Sequence, residues 1–303
     1  MSAINEKVFV DINSSKQGMF IRGEDATSPV LLFLHGGPGS PEHGMTMAIE
    51  DADNRLENCF VVCYWDQRGA GMSFHSSINP ETMTLHQMIE DTAAVTRYLL
   101  SRFGQEKIYL FGHSWGSYLG IKTIERYPQL YHALINVGQV CDQTQSERLA
   151  YTYMLAHARK IGDKRAEKQL LRFDISANSF PDTKYVQGVR SSLMNKYGIG
   201  IIHDKNIATM KGLIRNLFLF KGYTLREKIN YLRGLTFSQK LLFPGVLADS
   251  LPKSSTSFEI PVYILQGAHD YQVSYSLAKE YCAAIHAPDK QFYSFSNRSC
   301  LCR

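Results

Sequence analysis

The run Gly112-His113-Ser114-Trp115-Gly116 matches G-x-S-x-G, a pattern that can carry nucleophilic chemistry. An apolar stretch, residues 107–111, leads into it, and a helix-patterned stretch begins at Ser117. A serine on such a strand-to-helix turn is lifted clear of the sheet, and the flanking glycines admit strained backbone. The Trp115 amide then lies at a helix N-terminus, where it can stabilise a developing oxyanion. The plainer alternative is a glycine-rich turn at a strand end. A second loop, His35-Gly36-Gly37-Pro38-Gly39, follows the apolar run 30–34. Its glycines let backbone approach a substrate, so Gly36 and Gly37 join Trp115 as candidate oxyanion donors. A phosphate cradle is the alternative, but no Lys-Ser/Thr pair closes the loop. His35 reads as the residue that orients this loop. A third loop, Asp66-Gln67-Arg68-Gly69-Ala70-Gly71, follows the run 60–65. Asp66 and Arg68 read as pinning that turn, with Arg68 paired to a carboxylate.

The elements that must position these loops follow from periodicity. Short apolar runs at 8–12, 19–22, 30–34, 60–65, 108–111, 133–137, 262–265 and 291–295 predict about eight strands. Several are apolar throughout, as strands buried on both faces are. The first two predict an antiparallel hairpin turning at 13–18. Helical spacing at 84–103 and 117–126 alternates with strands, so the fold class is α/β with a mostly parallel sheet. Residues 141–257 lack a clear strand and predict helices at 146–161, 163–173, 184–197, 207–220 and 225–239, broken by loops at Pro181 and Pro244. They form an expected helical cap, inserted in a core of 1–140 and 258–303. The cap holds 19 Lys and Arg against 9 Asp and Glu, while the whole chain carries only +5. A basic lid would steer acidic ligands; solvated helix faces are the plainer account.

The three loops together resemble the proline iminopeptidase branch of the α/β-hydrolase fold, which shows HGGPG, DQRG-x-G and G-x-SWG-S in this order. The resemblance covers nearly the whole chain and implies a Ser–Asp–His triad. It assigns the nucleophile to Ser114 and the acid to Asp270, in the turn after 262–265. It places the histidine just after the eighth strand, yet no histidine follows His286 in this sequence. The expectation is a chain truncated before its catalytic histidine and its last helix, with apolar sheet surface uncovered. His35, His269, His157 and His203 are the candidates to substitute. The resemblance also implies removal of an N-terminal residue from peptides, which needs a cap carboxylate for the free ammonium. Glu147 and Glu227 are among the cap acids, but neither falls in a matching motif, and both tryptophans lie outside the cap.

Composition narrows the classes. With 44% hydrophobic and 20% charged residues the 303-residue chain is globular, not disordered or fibrous. Six scattered cysteines show no zinc spacing, so the expectation is reduced thiols, no metal and no cofactor. The N-terminus has no signal-peptide pattern and no run approaches a membrane span, so a cytoplasmic protein is expected, with no membrane or nucleic-acid partner. Two functions stay open. One is a serine hydrolase of a small peptide, amide or ester. The other is a catalytically impaired binding protein or remnant on the same fold. Nothing in the sequence speaks to oligomeric state.

Overall fold

The computed structural model describes residues 2–46, 55–182, 184–200 and 210–296. Strands β1 (Ile4–Ile12) and β2 (Ser15–Gly23) form the opening hairpin. Its turn is only Asn13 and Ser14, at φ 46° and 61°. Two successive positive φ values are what a two-residue type I′ turn requires, so β2 starts earlier than periodicity suggested. Strands β3 (Val30–Leu34), β4 (Val61–Trp65), β5 (Ile108–His113), β6 (Tyr131–Val137), β7 (Val262–Gly267) and β8 (Lys290–Phe295) complete one sheet. Its order is β1-β2-β4-β3-β5-β6-β7-β8. The pairs β1–β2 and β2–β4 are antiparallel and every other pair is parallel.

The continuous apolar runs are explained by burial on both faces. Leu32 and Leu34 of β3 join Val61, Cys63 and Trp65 of β4 in one core cluster. Their neighbours Leu31, Phe33, Val62 and Tyr64 point the other way, into a second cluster. The first face is covered by α2 (Leu85–Phe103) and α3 (Trp115–Arg126), after a short α1 (His43–Thr46). Thr84 caps α2 by accepting the Gln87 amide at 3.1 Å, and Met88, Val95 and Leu99 turn inward. On the second face, strand register carries the Phe33 row on through Phe111, Ile135 and Tyr263. There these side chains are only half-buried and Tyr293 is 46% exposed, so apolar sheet surface remains open.

Between β6 and β7 the regular elements of the described residues are helices: α4 (Gln143–Lys160), α5 (Lys164–Leu170), a π turn at Tyr185–Arg190 running into α6 (Ser191–Tyr197), α7 (Met210–Leu219), α8 (Leu225–Ala248) and α9 (Leu251–Ser254). Helix α10 (Tyr275–Ala284) follows β7. Caps explain two of the starts. Asp142 accepts the Gln145 amide ahead of α4, and Thr224 with Glu227 makes a capping box on α8. The expected break at Pro244 is not there: α8 runs through it to Ala248. Proline removes the donor to the Lys240 carbonyl, but Lys240 is exposed, and buried Leu242 and Val246 dock the last turns in the core. Residues 207–209 of the expected fourth cap helix lie outside the described residues.

Helix α3 lies unusually close to β3. A methyl on Gly116 would sit 2.0 Å from the Leu34 carbonyl oxygen, a backbone atom that cannot step aside. Gly116→Ala is therefore expected to cost more than about 3 kcal/mol, read as a fall in the urea midpoint. An unchanged midpoint would contradict this packing.

Candidate active site

The parallel strands β3, β5, β6 and β7 bring their carboxyl ends to one edge, and the candidate residues lie in the loops there. Ser114 follows β5 directly. It has φ 52° and ψ −118°, a conformation L-residues rarely hold, and α3 begins at the next residue. Its amide donates to the Val137 carbonyl at 2.9 Å, which ties the turn to the end of β6. The Trp115 amide opens α3 and has no acceptor among the described residues.

The loop after β3 lies against this turn. A methyl on Gly36 would fall 3.3 Å from the Ser114 Cβ and only 2.7 Å from Glu42 Oε1, so the serine and that carboxylate both crowd the Gly36 backbone and leave no room for a side chain. Gly37 has φ 118°, and a methyl there would meet the Gly39 nitrogen at 2.6 Å, so only glycine fits. The Gly36 amide differs from its expected role. It donates to Glu42 Oε1 at 3.1 Å, and His113 Nδ1 stands 2.5 Å from the same oxygen. In this structure Gly36 is thus engaged, which leaves Gly37 and Trp115 as the candidate donors. Sequence reasoning missed Glu42 and His113, because nothing in their spacing joins a loop residue to the position before the serine.

The loop after β4 holds the other two together. Gln67 Nε2 donates to the His35 carbonyl at 3.2 Å, and Gln67 Oε1 accepts the Trp115 indole N–H at 2.9 Å. The Gln67 amide also reaches His35 Nε2, while His35 Nδ1 faces the Gly36 carbonyl at 2.8 Å. His35 therefore has both nitrogens engaged and orients its loop. Burial pushes its pKa down to about 4, against the opposing Gly36 carbonyl and Glu42 carboxylate. Arg68 is paired with a carboxylate, that of Asp91 on α2. Asp66 accepts from the Met72 amide at 2.7 Å and from Tyr223 in the turn between α7 and α8. Three more contacts seat α8 on these loops: Tyr231 with Ser40, Asn230 with the Phe74 carbonyl, and Ser238 with the Gly69 carbonyl.

Asp270 sits in the turn after β7 and is buried. Its Oδ1 accepts the amides of Gln272 and Val273 at 2.9 and 3.0 Å, and its Oδ2 accepts Gln266 Nε2 at 2.9 Å. Gln266 in turn accepts the Gln139 amide beyond β6, so the Asp270 turn is linked towards the serine turn. Neighbouring His269 is exposed, whereas Asp270 is buried. His157 packs between Tyr153 and Tyr197 in the cap, with ring centroids at 5.8 and 4.7 Å. His203 lies outside the described residues, as do 297–303. Both named cap acids are paired. Glu147 is buried against Arg190 at 2.5 Å and takes Gln143 at 2.7 Å, and Glu227 meets Lys7 at 2.7 Å. Among the described residues no cluster of three or more His, Cys, Asp or Glu could hold a metal, and no helix is long and apolar enough to cross a membrane.

Burial pushes the Asp66 pKa up to about 7, against the opposing Met72 amide and Tyr223 hydroxyl. An acid raised on folding stabilises the fold below its unfolded value near 3.8, and that stability is lost as pH rises towards 7. His35 has the opposite sign: its contribution is full above 6.5 and is lost as pH falls towards 4. The two slopes oppose each other between about pH 4 and 6.5. Asp66→Asn should leave the His35 slope alone, so its melting temperature should climb more steeply with pH across this window than the parent's. Parallel curves would contradict the assignment.

The chain matches the alpha/beta hydrolase fold family over residues 29–298. It is 31% identical over 294 residues to the probable aminopeptidase YbaC of Bacillus subtilis (strain 168), covering 95% of this chain and 88% of that protein. It is 26% identical over 179 residues to the proline iminopeptidase of Lactobacillus crispatus (strain ST1), covering 59% of this chain and 57% of that one. The proline iminopeptidase structure of Mycobacterium smegmatis superposes with a TM-score of 0.66 at 17% identity, over 97% of this chain and 92% of the other. The sheet order, the loops at its carboxyl edge and these matches agree, and the chain belongs to the α/β-hydrolase fold family.

Proposed function

We propose that this protein is a serine hydrolase that acts on small peptides, amides or esters through an acyl-enzyme. The observation that carries this reading is the Ser114 backbone, at φ 52° and ψ −118° with the glycine loop packed against it. Holding a residue there costs about 1–3 kcal/mol, and such strain concentrates at sites of function. In this reading the Ser114 oxygen attacks a carbonyl carbon and its proton passes to a base oriented by Asp270. The carbonyl electron pair moves onto oxygen, where the Gly37 and Trp115 amides stabilise it. The amine or alcohol then leaves with a proton, and water hydrolyses the acyl-enzyme.

The names of the relatives favour aminopeptidase action, whereas the pairing of Glu147 and Glu227 with cations favours substrates without a free ammonium. A panel of aminoacyl and short acyl chromogenic substrates, assayed with Ser114→Ala as control, separates the two. Turnover of aminoacyl amides alone selects aminopeptidase, turnover of acyl esters alone selects esterase, and Ser114-independent turnover sinks both. A second reading, a hydrolase-fold protein with impaired catalysis, is favoured by the histidines. His35 has both ring nitrogens engaged, and His269 is exposed while Asp270 is buried. Free thiols at Cys59, Cys63, Cys141 and Cys282 support work in the reducing cytoplasm.

A further inference from the structure

The outer face of α7 and of the first turns of α8 is apolar, and it is rimmed by positive charge. Leu225, Ile229 and Leu232 recur at helical spacing on α8 and are 70, 48 and 47% exposed. Ile214, Phe218 and Leu219 on α7 are 46, 45 and 66% exposed. These six are half of the large hydrophobic side chains exposed among the described residues. The helices meet through Lys228, whose ammonium donates to the Phe218 carbonyl at 2.6 Å. Between 210 and 233 the sequence has six Lys and Arg and one acid, Glu227, already paired with Lys7. Lys211, Arg215, Lys221, Arg226 and Arg233 are exposed. A groove of about 390 Å³ opens in this face, with His75, Arg226 and Arg233 beside Leu225 and Ile229.

We propose that this face docks on an anionic lipid bilayer, its apolar stripe entering the headgroup boundary and the groove receiving a lipid phosphate. The chemistry selects this occupant. Apolar residues interleaved with bases suit an interface that is oily beneath and negative at its surface. A second copy of the chain is disfavoured, because a two-fold contact would set the basic rim against itself. A purely apolar partner would leave the arginines unpaired. The inference needs no membrane-spanning segment, and it departs from the expectation that no membrane is a partner. It also gives the cap a purpose. The inner side of α8 touches the Ser40 and Gly69 loops, so docking would hold the lipid surface one helix away from the loops that carry the candidate site.

The full chain is mixed with vesicles of phosphatidylcholine alone or with phosphatidylglycerol added, and pelleted. Binding is expected only to the anionic vesicles, with release at high salt. Leu225→Ser with Ile229→Ser, and separately Arg226→Glu with Arg233→Glu, should each lower partitioning more than about tenfold at an unchanged melting temperature. Equal binding to both vesicle types, no binding, or full binding by either variant would overturn the proposal. So would displacement by inorganic phosphate at constant ionic strength, which indicates a soluble-anion site. A dimer in light scattering that the Leu225 and Ile229 changes abolish would overturn it as well. None of these outcomes depends on Ser114, so failure here leaves the hydrolase reading untouched.

Discussion

Ser114→Ala is expected to lower the turnover of any substrate this protein hydrolyses by about 10⁴-fold or more, while the fold stays intact. Alanine keeps the Cβ, so the backbone strain at φ 52° and ψ −118° remains, and the melting temperature should not move. Ser114→Gly separates the two effects. Glycine adopts this region freely, which removes strain of about 1–3 kcal/mol, less the extra freedom glycine gives the unfolded chain. The net expectation is a gain of about 1 kcal/mol, a melting temperature higher by about 1–2 °C, with activity lost as fully as in the alanine variant. A glycine variant less stable than the parent would mean that the turn is not strained. An alanine variant that keeps its turnover would mean that the serine is not the nucleophile.

The second large effect concerns Arg68 and Asp91, both buried. Arg68 Nε lies 2.6 Å from Asp91 Oδ2, and its terminal nitrogen also reaches the Asn13 carbonyl at 3.2 Å. Asn13, Gln17 and Gln87 donate to the same carboxylate. Removing one partner of a buried pair costs about 3–5 kcal/mol, because the other charge is left uncompensated. The surroundings set the order. Arg68→Met leaves Asp91 with three neutral amide donors, so its loss should fall near 3 kcal/mol. Asp91→Ala strands a buried guanidinium and three amides, so its loss should reach about 5 kcal/mol. Urea unfolding with unchanged slope would read both. The reverse order, or losses below about 1 kcal/mol, would show that the pair is effectively solvated. The turn matters to the site because Gln67, next to Arg68, joins the His35 loop to Trp115.

The fold was largely legible because its signals are local. Each apolar run became a strand, since residues such as Leu31 and Leu32 are buried on opposite faces and must both be apolar. The serine turn was legible for the same reason: Gly112, Ser114 and Gly116 state its sterics within five residues. Departures arose where distant packing overrides a local rule. Pro244 reads as a break, yet contacts of Leu242 and Val246 carry α8 past it. Gly36 reads as a free donor, yet Glu42, six residues on, takes its amide. The function of Gln67 was hidden because its partners lie 32 and 48 residues away. Pairing of the cap acids was hidden likewise, since Glu147 meets Arg190 across 43 residues.

The central claim is that Ser114 is an activated nucleophile facing an oxyanion site. The most direct test is intact-mass analysis after reaction with a fluorophosphonate, run on the parent protein and on Ser114→Ala. The structure predicts a single phosphonyl adduct on the parent, mapped to Ser114 by peptide fragmentation and absent from the alanine variant. No adduct on the folded parent, or an equal adduct on the alanine variant, would contradict it.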